Sequence, residues 1–172
     1  MGTEEPLFVH RSARAARRGR FTLADEPWDE LREDAGLRTR VFDRLPSDTL
    51  TASLHELLPG SPGFRLHMHY GTEEMFFVVS GAPVLRTRET VEQLAPGDVV
   101  HCPEGRDGLH TFSNPADQPA RILALSAGGF PDVVAYPDDG VAWVATRNPD
   151  FPPPEHGDPG IVARFELPPT NR

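Results

Sequence analysis

The sequence contains no lysine: all 17 basic residues among its 172 are arginine. Chemistry that begins with an amine nucleophile, such as a Schiff base to a carbonyl substrate or to pyridoxal phosphate, is therefore excluded. The phosphate-binding P-loop is excluded too, because its lysine contacts the phosphates. Cysteine is almost as rare, since Cys102 is the single one. It rules out an intrachain disulfide, is typical of a reducing compartment, and is interpreted as a buried apolar residue.

Long apolar runs and positive charge are also scarce. No stretch approaches the ~18 consecutive apolar residues that a membrane helix needs. The N-terminus lacks the apolar core of a secretory signal, so we expect a cytoplasmic protein. The formal net charge of −9 argues against nucleic acid as the main partner, because phosphate neutralisation needs a basic surface. Residues 10–20 are rich in arginine, and we interpret them as a solvated arm or a contact with another chain.

Proline and glycine are plentiful instead, with 19 and 15 residues. They favour short strands and many turns over long helices. Between residues 48 and 127 short β-type runs alternate with turn residues, which predicts an all-β antiparallel sandwich or barrel. The predicted strands are 49–58, 64–70, 74–80, 82–88, 90–95, 98–102, 109–114 and 120–127.

The segments on either side of this region have a different character. Within the charged N-terminal segment, Asp25 followed by Trp28 and then Gly36 predicts a short capped helix. The C-terminal segment is rich in proline, glycine and aspartate, which predicts an extension that packs on the barrel, with edge strands at 141–144 and 161–165. We therefore divide the chain into an N-terminal extension (1–45), a barrel (46–127) and a C-terminal extension (128–172).

The most informative stretch runs from His67 to Gly81. On a strand alternate side chains share a face, so His67 and His69 point the same way, about 7 Å apart, and can converge on one ion. Gly71 permits a tight reversal, after which the next strand returns a carboxylate toward that ion. Nitrogen ligands with one carboxylate suit one divalent transition metal ion (Fe, Mn, Ni, Co or Zn) rather than Ca or Mg.

This stretch resembles the first motif of the cupin superfamily, which runs His-x-His, three or four residues, Glu, six residues, Gly. The matching residues are His67, His69, Glu74 and Gly81. Glu73 also fits the first gap, but it would place Ser80 where the motif has glycine, so we assign Glu74. The resemblance implies a cupin barrel, the jelly roll also called a double-stranded β-helix.

A second cupin motif runs Gly, five residues, Pro-x-Gly, two residues, His, three residues, Asn. The matching residues are Gly97, Pro103, Gly105, His110 and Asn114, with two residues inserted before the histidine. The resemblance implies that His110 is the third imidazole; His101 is the alternative, but it precedes the Pro-x-Gly turn. The implied metal ligands are His67, His69, Glu74 and His110. Residues 136–140 are also similar to the tail of a group of small single-domain cupins, of the cupin 2 type, whose function is uncharacterised.

Strand alternation extends these expectations to the surroundings of the ion. With Glu74 facing inward, Phe76 and Val78 line the interior, and Phe112 joins them from the strand of His110. They form either a pocket wall for a substrate or simply core. Arg65 would also face inward and could bind an anionic group of a substrate; the alternative is a place at the barrel mouth, solvated or paired with an acid.

The opposite face of the same strand is also apolar, at Met75, Phe77 and Val79. A strand buried on both faces needs a second layer, supplied by the N-terminal segment or by another subunit. We expect a homodimer, which is also usual in the family.

Taken with the metal site, the resemblance implies a protein that acts on or binds a small molecule. The first candidate is a dioxygenase resembling the quercetinase-like cupins, with Glu74 able to leave the metal and act as a base. The second is a non-redox isomerase, lyase or epimerase acting on a sugar or keto acid. The third is a non-catalytic module that binds a sugar or another metabolite. Neither a nucleic acid nor a membrane is an expected partner.

Overall fold

The computed structural model describes residues 30–41, 49–129, 131–146 and 161–168, together with Leu23 and Trp28. Strands and single-turn 3-10 helices form the regular structure in these ranges, which contain no α-helix. The strands are β1 (Glu30–Arg32), β2 (Leu37–Val41), β3 (Leu50–Leu57), β4 (Met68–His69), β5 (Thr72–Ser80), β6 (Val84–Thr87), β7 (Val91–Gln93), β8 (Val99–Cys102), β9 (His110–Ser113), β10 (Ala120–Gly128), β11 (Asp132–Tyr136), β12 (Val141–Ala145) and β13 (Ile161–Glu166).

The strands pair into antiparallel sheets that form the two walls of a jelly-roll barrel. One wall is a six-stranded sheet in the order β1-β2-β3-β10-β5-β8. The other consists of a four-stranded sheet, β13-β12-β11-β4, and a three-stranded sheet, β7-β6-β9. A bridge from His67, directly before β4, to His110 of β9 joins these two smaller sheets. A second bridge, from Ser61 to Asn114, connects the segment between β3 and β4 to the end of β9. The predicted all-β class is therefore confirmed.

The core lies between the walls, on the side chains that alternate inward. Along β5 the inward positions include Phe76 and Val78, which are 4% and 3% exposed, whereas their neighbours on the outer face are more open. Phe112 reaches the same core from β9 and is completely buried. Each such side chain contributes roughly 1.5–3 kcal/mol of transfer free energy, so alternation on these strands is a main source of the barrel's stability.

The predicted N-terminal helix is wrong for the part of it that the structure describes. Residues 30–41 form a hairpin of β1 and β2 around a 3-10 turn at Glu33–Ala35, and Gly36 closes this turn with a φ of 56°. β2 pairs along the whole of its length with β3. The edge of β3 thus provides hydrogen-bond partners for the backbone of β2. This pairing outweighs the helix signals at Asp25, Trp28 and Gly36. Trp28 does pack on the barrel, against Ala52 and Leu54.

The C-terminal segment contributes more strands than expected. β12 and β13 match the predicted edge strands, but β11 precedes them and was not predicted. β11 pairs with β4 on one side and with β12 on the other. The predicted strand 64–70 is reduced to Met68–His69, and His67 is joined to its neighbour by the bridge alone.

The outer face of β5 is apolar at Met75, Phe77 and Val79, as predicted. Met75 and Val79 on β5 are 39% and 36% exposed, and Val99 on β8 is 54% exposed. Leu23 and Trp28 cover only the part of the sheet's outer face around Ala52 and Leu54. The homodimer stays a prediction. Among the described residues there is no helix whose length and apolar character would let it cross a membrane.

Replacing Asn114 by Ala is expected to lower the free energy of unfolding by about 2–4 kcal/mol. The Asn114 side chain is fully buried; its Nδ2 donates to the carbonyls of Leu57, Leu58 and Gln118, and its Oδ1 accepts from the backbone N–H of Ala116. The substitution removes these buried hydrogen bonds. Urea unfolding measures the effect, with exposed Gln93→Ala as a control that should change stability by less than about 0.5 kcal/mol. Equal stabilities of the two variants would contradict the assignment.

Candidate metal centre

Backbone pairing brings the histidines together. His67 stands directly before β4, His69 lies within it, and His110 begins β9. The backbone N–H of His67 donates to the carbonyl of His110 at 3.0 Å, and that of His110 donates back at 2.9 Å. Opposed residues of antiparallel strands project to the same side. The ring centroids of His67 and His110 therefore lie 4.5 Å apart, and those of His67 and His69 lie 5.1 Å apart.

Glu74 reaches the same point from the opposite wall. It lies on β5 with its side chain on the inner face. Its Oε2 atom is 3.3 Å from Nε2 of His69 and 3.3 Å from Nε2 of His110. Ligand atoms of His67, His69 and Glu74 all lie within 4.8 Å of one another. The structure thus brings the four predicted ligands to one place inside the barrel.

The hydrogen bond made by Nδ1 of each imidazole determines whether Nε2 presents a lone pair to an ion. Nδ1 of His67 lies 2.8 Å from the carbonyl oxygen of Arg65, and Nδ1 of His110 lies 2.8 Å from that of Gly108. A carbonyl oxygen only accepts, so both Nδ1 atoms carry a proton and, in the neutral ring, Nε2 presents a lone pair. Nδ1 of His69 likewise donates, at 2.6 Å, to the Oδ2 atom of Asp132.

Asp132 completes the surroundings of His69, and no sequence pattern predicted it. It begins β11, is 3% exposed, and accepts a second hydrogen bond at Oδ1 from the backbone N–H of Gly71. It stands 63 residues after His69, and no local motif connects the two. Only the pairing of β11 with β4 brings them together, so a correct prediction of β11 was the one signal that could have found it.

The protonation states of the three histidines and Glu74 depend on one another. Burial, reinforced by His110, lowers the pKa of His67 to about 3, and burial also lowers the pKa of His110. Burial would lower the pKa of His69 as well, but its hydrogen bond to Asp132 and the negative charges of Glu74 and Asp132 outweigh this effect and raise the pKa to about 9. Burial would raise the pKa of Glu74, yet His69 and the other two rings hold it at about 2. At neutral pH the three Nε2 atoms of the metal-free centre therefore hold one proton among them, on His69 beside the ionised Glu74.

The residues present fit a divalent transition metal ion. Oε2 of Glu74 is buried and has no hydrogen-bond partner within the part of the chain that the structure describes. Buried polar atoms without partners are rare and call for an explanation such as a bound ion. Three imidazole nitrogens with one carboxylate form a donor set suited to Fe, Mn, Ni, Co or Zn. His67, His69, Glu74 and His110 would hold the ion.

A cavity of about 210 Å³ adjoins this centre on the side of Glu74 and Asp132. Hydroxyl groups dominate its polar lining, and Ser126 donates a hydrogen bond of 2.9 Å to Oε1 of Glu74. The other hydroxyl-bearing lining residues are Thr49, Thr51 and Thr72. Val134 and Ala145 provide apolar surface, and the described residues of the lining include no arginine. The lining therefore combines polar and apolar side chains beside Glu74.

The residues predicted to bind a substrate lie elsewhere. Phe76, Val78 and Phe112 belong to the hydrophobic core. The ring of Phe76 contacts that of His110 at 4.9 Å between centroids, so the hydrophobic core packs against the His110 side of the centre. A direct contact of these three with a substrate stays a prediction.

Arg65 lies at the barrel surface, not inside the barrel. Its Nε donates to Oδ2 of Asp139 at 2.7 Å, and its guanidinium carbon lies 4.2 Å from the ring centroid of Tyr136. This is the acid-paired alternative considered from the sequence. The reason is local: β4 begins at Met68, so strand alternation does not extend back to residue 65.

His101, the alternative to His110 as third histidine, lies outside the centre. His101 is on the outer face of β8, half-exposed, where its Nε2 is 3.1 Å from Oε2 of Glu73. Cys102 is buried, and burial raises the pKa of its thiol to about 12, as suits an unreactive apolar residue.

Comparison with known proteins identifies the barrel region. Residues 53–126 match the family model described as Cupin domain. A sugar phosphate isomerase from a cupin superfamily, from Silicibacter pomeroyi, is similar in structure with a TM-score of 0.62 and 22% identity over 76% of this chain and 76% of that chain. The polyketide cyclase RemF from Streptomyces resistomycificus has a TM-score of 0.54 and 20% identity over 64% of this chain and 80% of its own.

A further similar structure is KdgF from Halomonas sp., with a TM-score of 0.52 and 18% identity over 60% of this chain and 89% of that chain. None of the curated protein sequences matches this chain. At these identities the similarity shows a shared fold.

Metal uptake at pH 7.5 is expected to release about one proton per ion. His69, with a pKa near 9, must lose its Nε2 proton to become a ligand, whereas His67 and His110 are already neutral and Glu74 is already ionised. Calorimetric titration with Zn²⁺ in buffers of different ionisation enthalpy measures this number. The release should vanish as the pH is raised through 9. Release of no proton at pH 7.5, or of two or more, would show that the charge assignment is wrong.

Proposed function

From the premise that residues 53–126 form a cupin domain, we propose that this protein is a metal-dependent enzyme that rearranges or cleaves a small hydroxylated carbonyl compound without net oxidation. The reaction class is that of an isomerase, epimerase or lyase. The observation that carries the metal part of the proposal is the orphaned, buried Oε2 atom of Glu74 among three imidazole rings.

A divalent ion held there would supply Lewis-acid stabilisation of charge that develops on a substrate oxygen. The chain's own residues supply orientation and water exclusion. The oxygen atoms that accept hydrogen bonds from the three Nδ1 atoms keep Nε2 of each ring directed toward the centre. His110 is 2% exposed, so its side of the centre is closed to water. Glu74 borders both the centre and the cavity, and Ser126 fixes its Oε1 atom. Its carboxylate is therefore the group best placed to accept a proton from a substrate carbon.

The cavity favours this reaction class over oxidation of an aromatic substrate. The cavity has a volume of about 210 Å³ and borders Glu74, so a small compound can lie beside the carboxylate. Its hydroxyl lining offers hydrogen bonds to a polyhydroxy compound, while the large aromatic side chains of the interior are packed in the core. Because the carboxylates of Glu74 and Asp132 line the cavity, their negative charge disfavours a phosphate there, and the proposed substrate is unphosphorylated.

Dioxygenase chemistry is the second candidate, because three histidines and one glutamate also suit redox-active Fe, Mn or Ni. A non-catalytic module that binds a sugar is the third. A cytoplasmic location and a homodimer remain part of the proposal; the exposed Met75, Val79 and Val99 support the second of these, because they form an apolar face that a second subunit would cover.

His69→Ala is expected to lower metal content at least about tenfold, because the site loses a ligand and Oδ2 of Asp132 loses its imidazole donor. Elemental analysis of desalted, metal-reconstituted protein measures this content. His101→Ala is the matched control, since His101 lies on the outer face and pairs only with Glu73 among the described contacts; it should keep the wild-type content. Unchanged metal in His69→Ala, or a large loss in His101→Ala, would refute the ligand set.

The reaction class predicts turnover without oxygen. Wild-type protein loaded with Zn²⁺ or Mn²⁺ is expected to convert at least one compound of a panel of unphosphorylated four- to six-carbon aldoses, ketoses and keto acids under argon. Nuclear magnetic resonance of the reaction mixture detects the product. Glu74→Gln should lower the rate by roughly 10²–10⁴-fold. Oxygen uptake with phenolic or diketone substrates on Fe-loaded protein would replace this proposal by the dioxygenase, and binding without any product would replace it by the module.

A further inference from the structure

The strand β11 lies outside the matched domain, yet it borders the metal centre directly. The domain match ends at residue 126, and β11 begins at Asp132. β11 pairs with β4, so that Val134 opposes His69 and Ala135 opposes Met68. The backbone N–H of Tyr70 also donates to the carbonyl of Val133 at 3.0 Å. The strand that carries the His-x-His pair is thus held in place by a segment that the cupin match does not include.

The acceptor behind His69 differs from the acceptors behind the other two rings. His67 and His110 each donate to a backbone carbonyl two residues before them, at 2.8 Å. His69 donates at 2.6 Å to a carboxylate contributed by a distant strand. An anionic acceptor forms the stronger hydrogen bond and makes the opposite nitrogen a better electron-pair donor. His69 is therefore the strongest imidazole donor of the set.

Asp132 itself is held rigidly. Its Oδ1 accepts from the backbone N–H of Gly71 at 2.9 Å, and Thr72 provides a further hydrogen bond. The residue is 3% exposed, so water does not compete for the carboxylate. This support fixes the orientation of the His69 ring as well as its tautomer.

The second carboxylate also balances charge. A divalent ion with three neutral imidazoles and Glu74 alone would leave one net positive charge inside the barrel. Burying an uncompensated charge is unfavourable. Because Asp132 contributes the second negative charge through His69, the complete site is neutral with a divalent ion.

Tyr136, at the other end of β11, faces the other histidine of the pair. Its ring is nearly parallel to that of His67, at an interplanar angle of 19° and a centroid distance of 5.8 Å. The Arg65 guanidinium lies 4.2 Å from the Tyr136 ring centroid and is itself paired with Asp139. Asp132 and Tyr136 thus contact the two ends of the His-x-His pair from one strand.

We infer that β11 is a positioning element for the metal: Asp132 orients His69 and supplies the charge that sets the affinity for a divalent ion, and Tyr136 orients His67. This inference rests on the metal site of the proposed function. Neither residue ligates the ion in this assignment, and each acts on it through a histidine, so both are positioning residues.

The test compares metal affinities of full-length variants by competition with a chromophoric chelator for Zn²⁺. Asp132→Asn keeps the shape of the side chain but removes its charge, and it is expected to weaken binding by roughly 10–100-fold. Asp98→Asn is the matched control, because Asp98 also accepts a backbone N–H, that of Ala95 at 2.7 Å, but far from the centre in the chain's β7–β8 turn. It should change the affinity by less than about twofold.

The visible spectrum of Co²⁺-substituted protein provides a second readout. Asp132→Asn should shift the ligand-field bands, because His69 becomes a weaker donor. Tyr136→Leu should shift them as well and weaken binding severalfold, whereas Tyr136→Phe keeps the ring and should resemble the wild type. Unchanged affinity and spectrum in Asp132→Asn, even with a lower melting temperature, would reduce Asp132 to a structural residue and overturn the inference.

Two further outcomes are distinguishable. If Asp132→Asn does not fold, Thr72→Val loosens the same carboxylate without removing its charge, and it should weaken Zn²⁺ binding severalfold; an unchanged affinity there would also overturn the inference. If wild-type protein itself binds no Zn²⁺ or Co²⁺, the proposed function fails, and the inference fails with it. A wild type that binds metal as tightly as the Asp132 variant leaves the proposed function intact and contradicts only the role of β11.

Discussion

The pairing of His67 with His110 is the contact on which the candidate centre depends. Two backbone hydrogen bonds, of 3.0 and 2.9 Å, join the strand of the first histidine pair to the strand of the third histidine. This bridge also links the four-stranded sheet to the three-stranded one, so that a single contact closes one wall of the barrel and assembles the ligands. Ligand placement is therefore a consequence of barrel closure, since the side chains need no rearrangement once the backbones are paired.

A centre assembled in this way has to accommodate buried charge. Without an ion, Glu74 is balanced by the proton on His69, whose pKa near 9 means that the stabilisation is complete below the ordinary histidine value of 6.5 and is lost as the pH rises through 9. With an ion, the metal replaces that proton and meets the orphaned Oε2 atom. The same carboxylates thus stabilise both forms, which explains how a buried Glu74 is compatible with a folded metal-free barrel.

The sequence predicted those parts of the site that depend on local periodicity. His67 and His69 share a face, and Glu74, Phe76 and Val78 alternate inward on β5, because strand geometry has a period of two. Local periodicity did not predict residue positions beyond the ends of the strands, nor contacts that depend on pairing between strands far apart in sequence. Arg65 lies before the start of β4 and so escaped the alternation, and the hairpin of β1 and β2 exists because β3 offers an edge. Asp132 depends on the pairing of two strands 63 residues apart along the chain, which no local pattern encodes.

The three histidines depend on hydrogen-bond acceptors that lie at different distances along the chain. The acceptors of His67 and His110 are carbonyls two residues away, so these rings can be oriented as soon as β9 has paired with the His67 segment. The acceptor of His69 arrives only when β11 adds to β4, which requires a much longer loop to close. The Nδ1 acceptors of His67 and His110 thus lie within the matched domain, whereas the Nδ1 acceptor of His69 and the ring stacked on His67 lie in β11, beyond it. Metal affinity is therefore coupled to the docking of β11, because the ion gains its strongest imidazole donor only in the state in which that strand is in place.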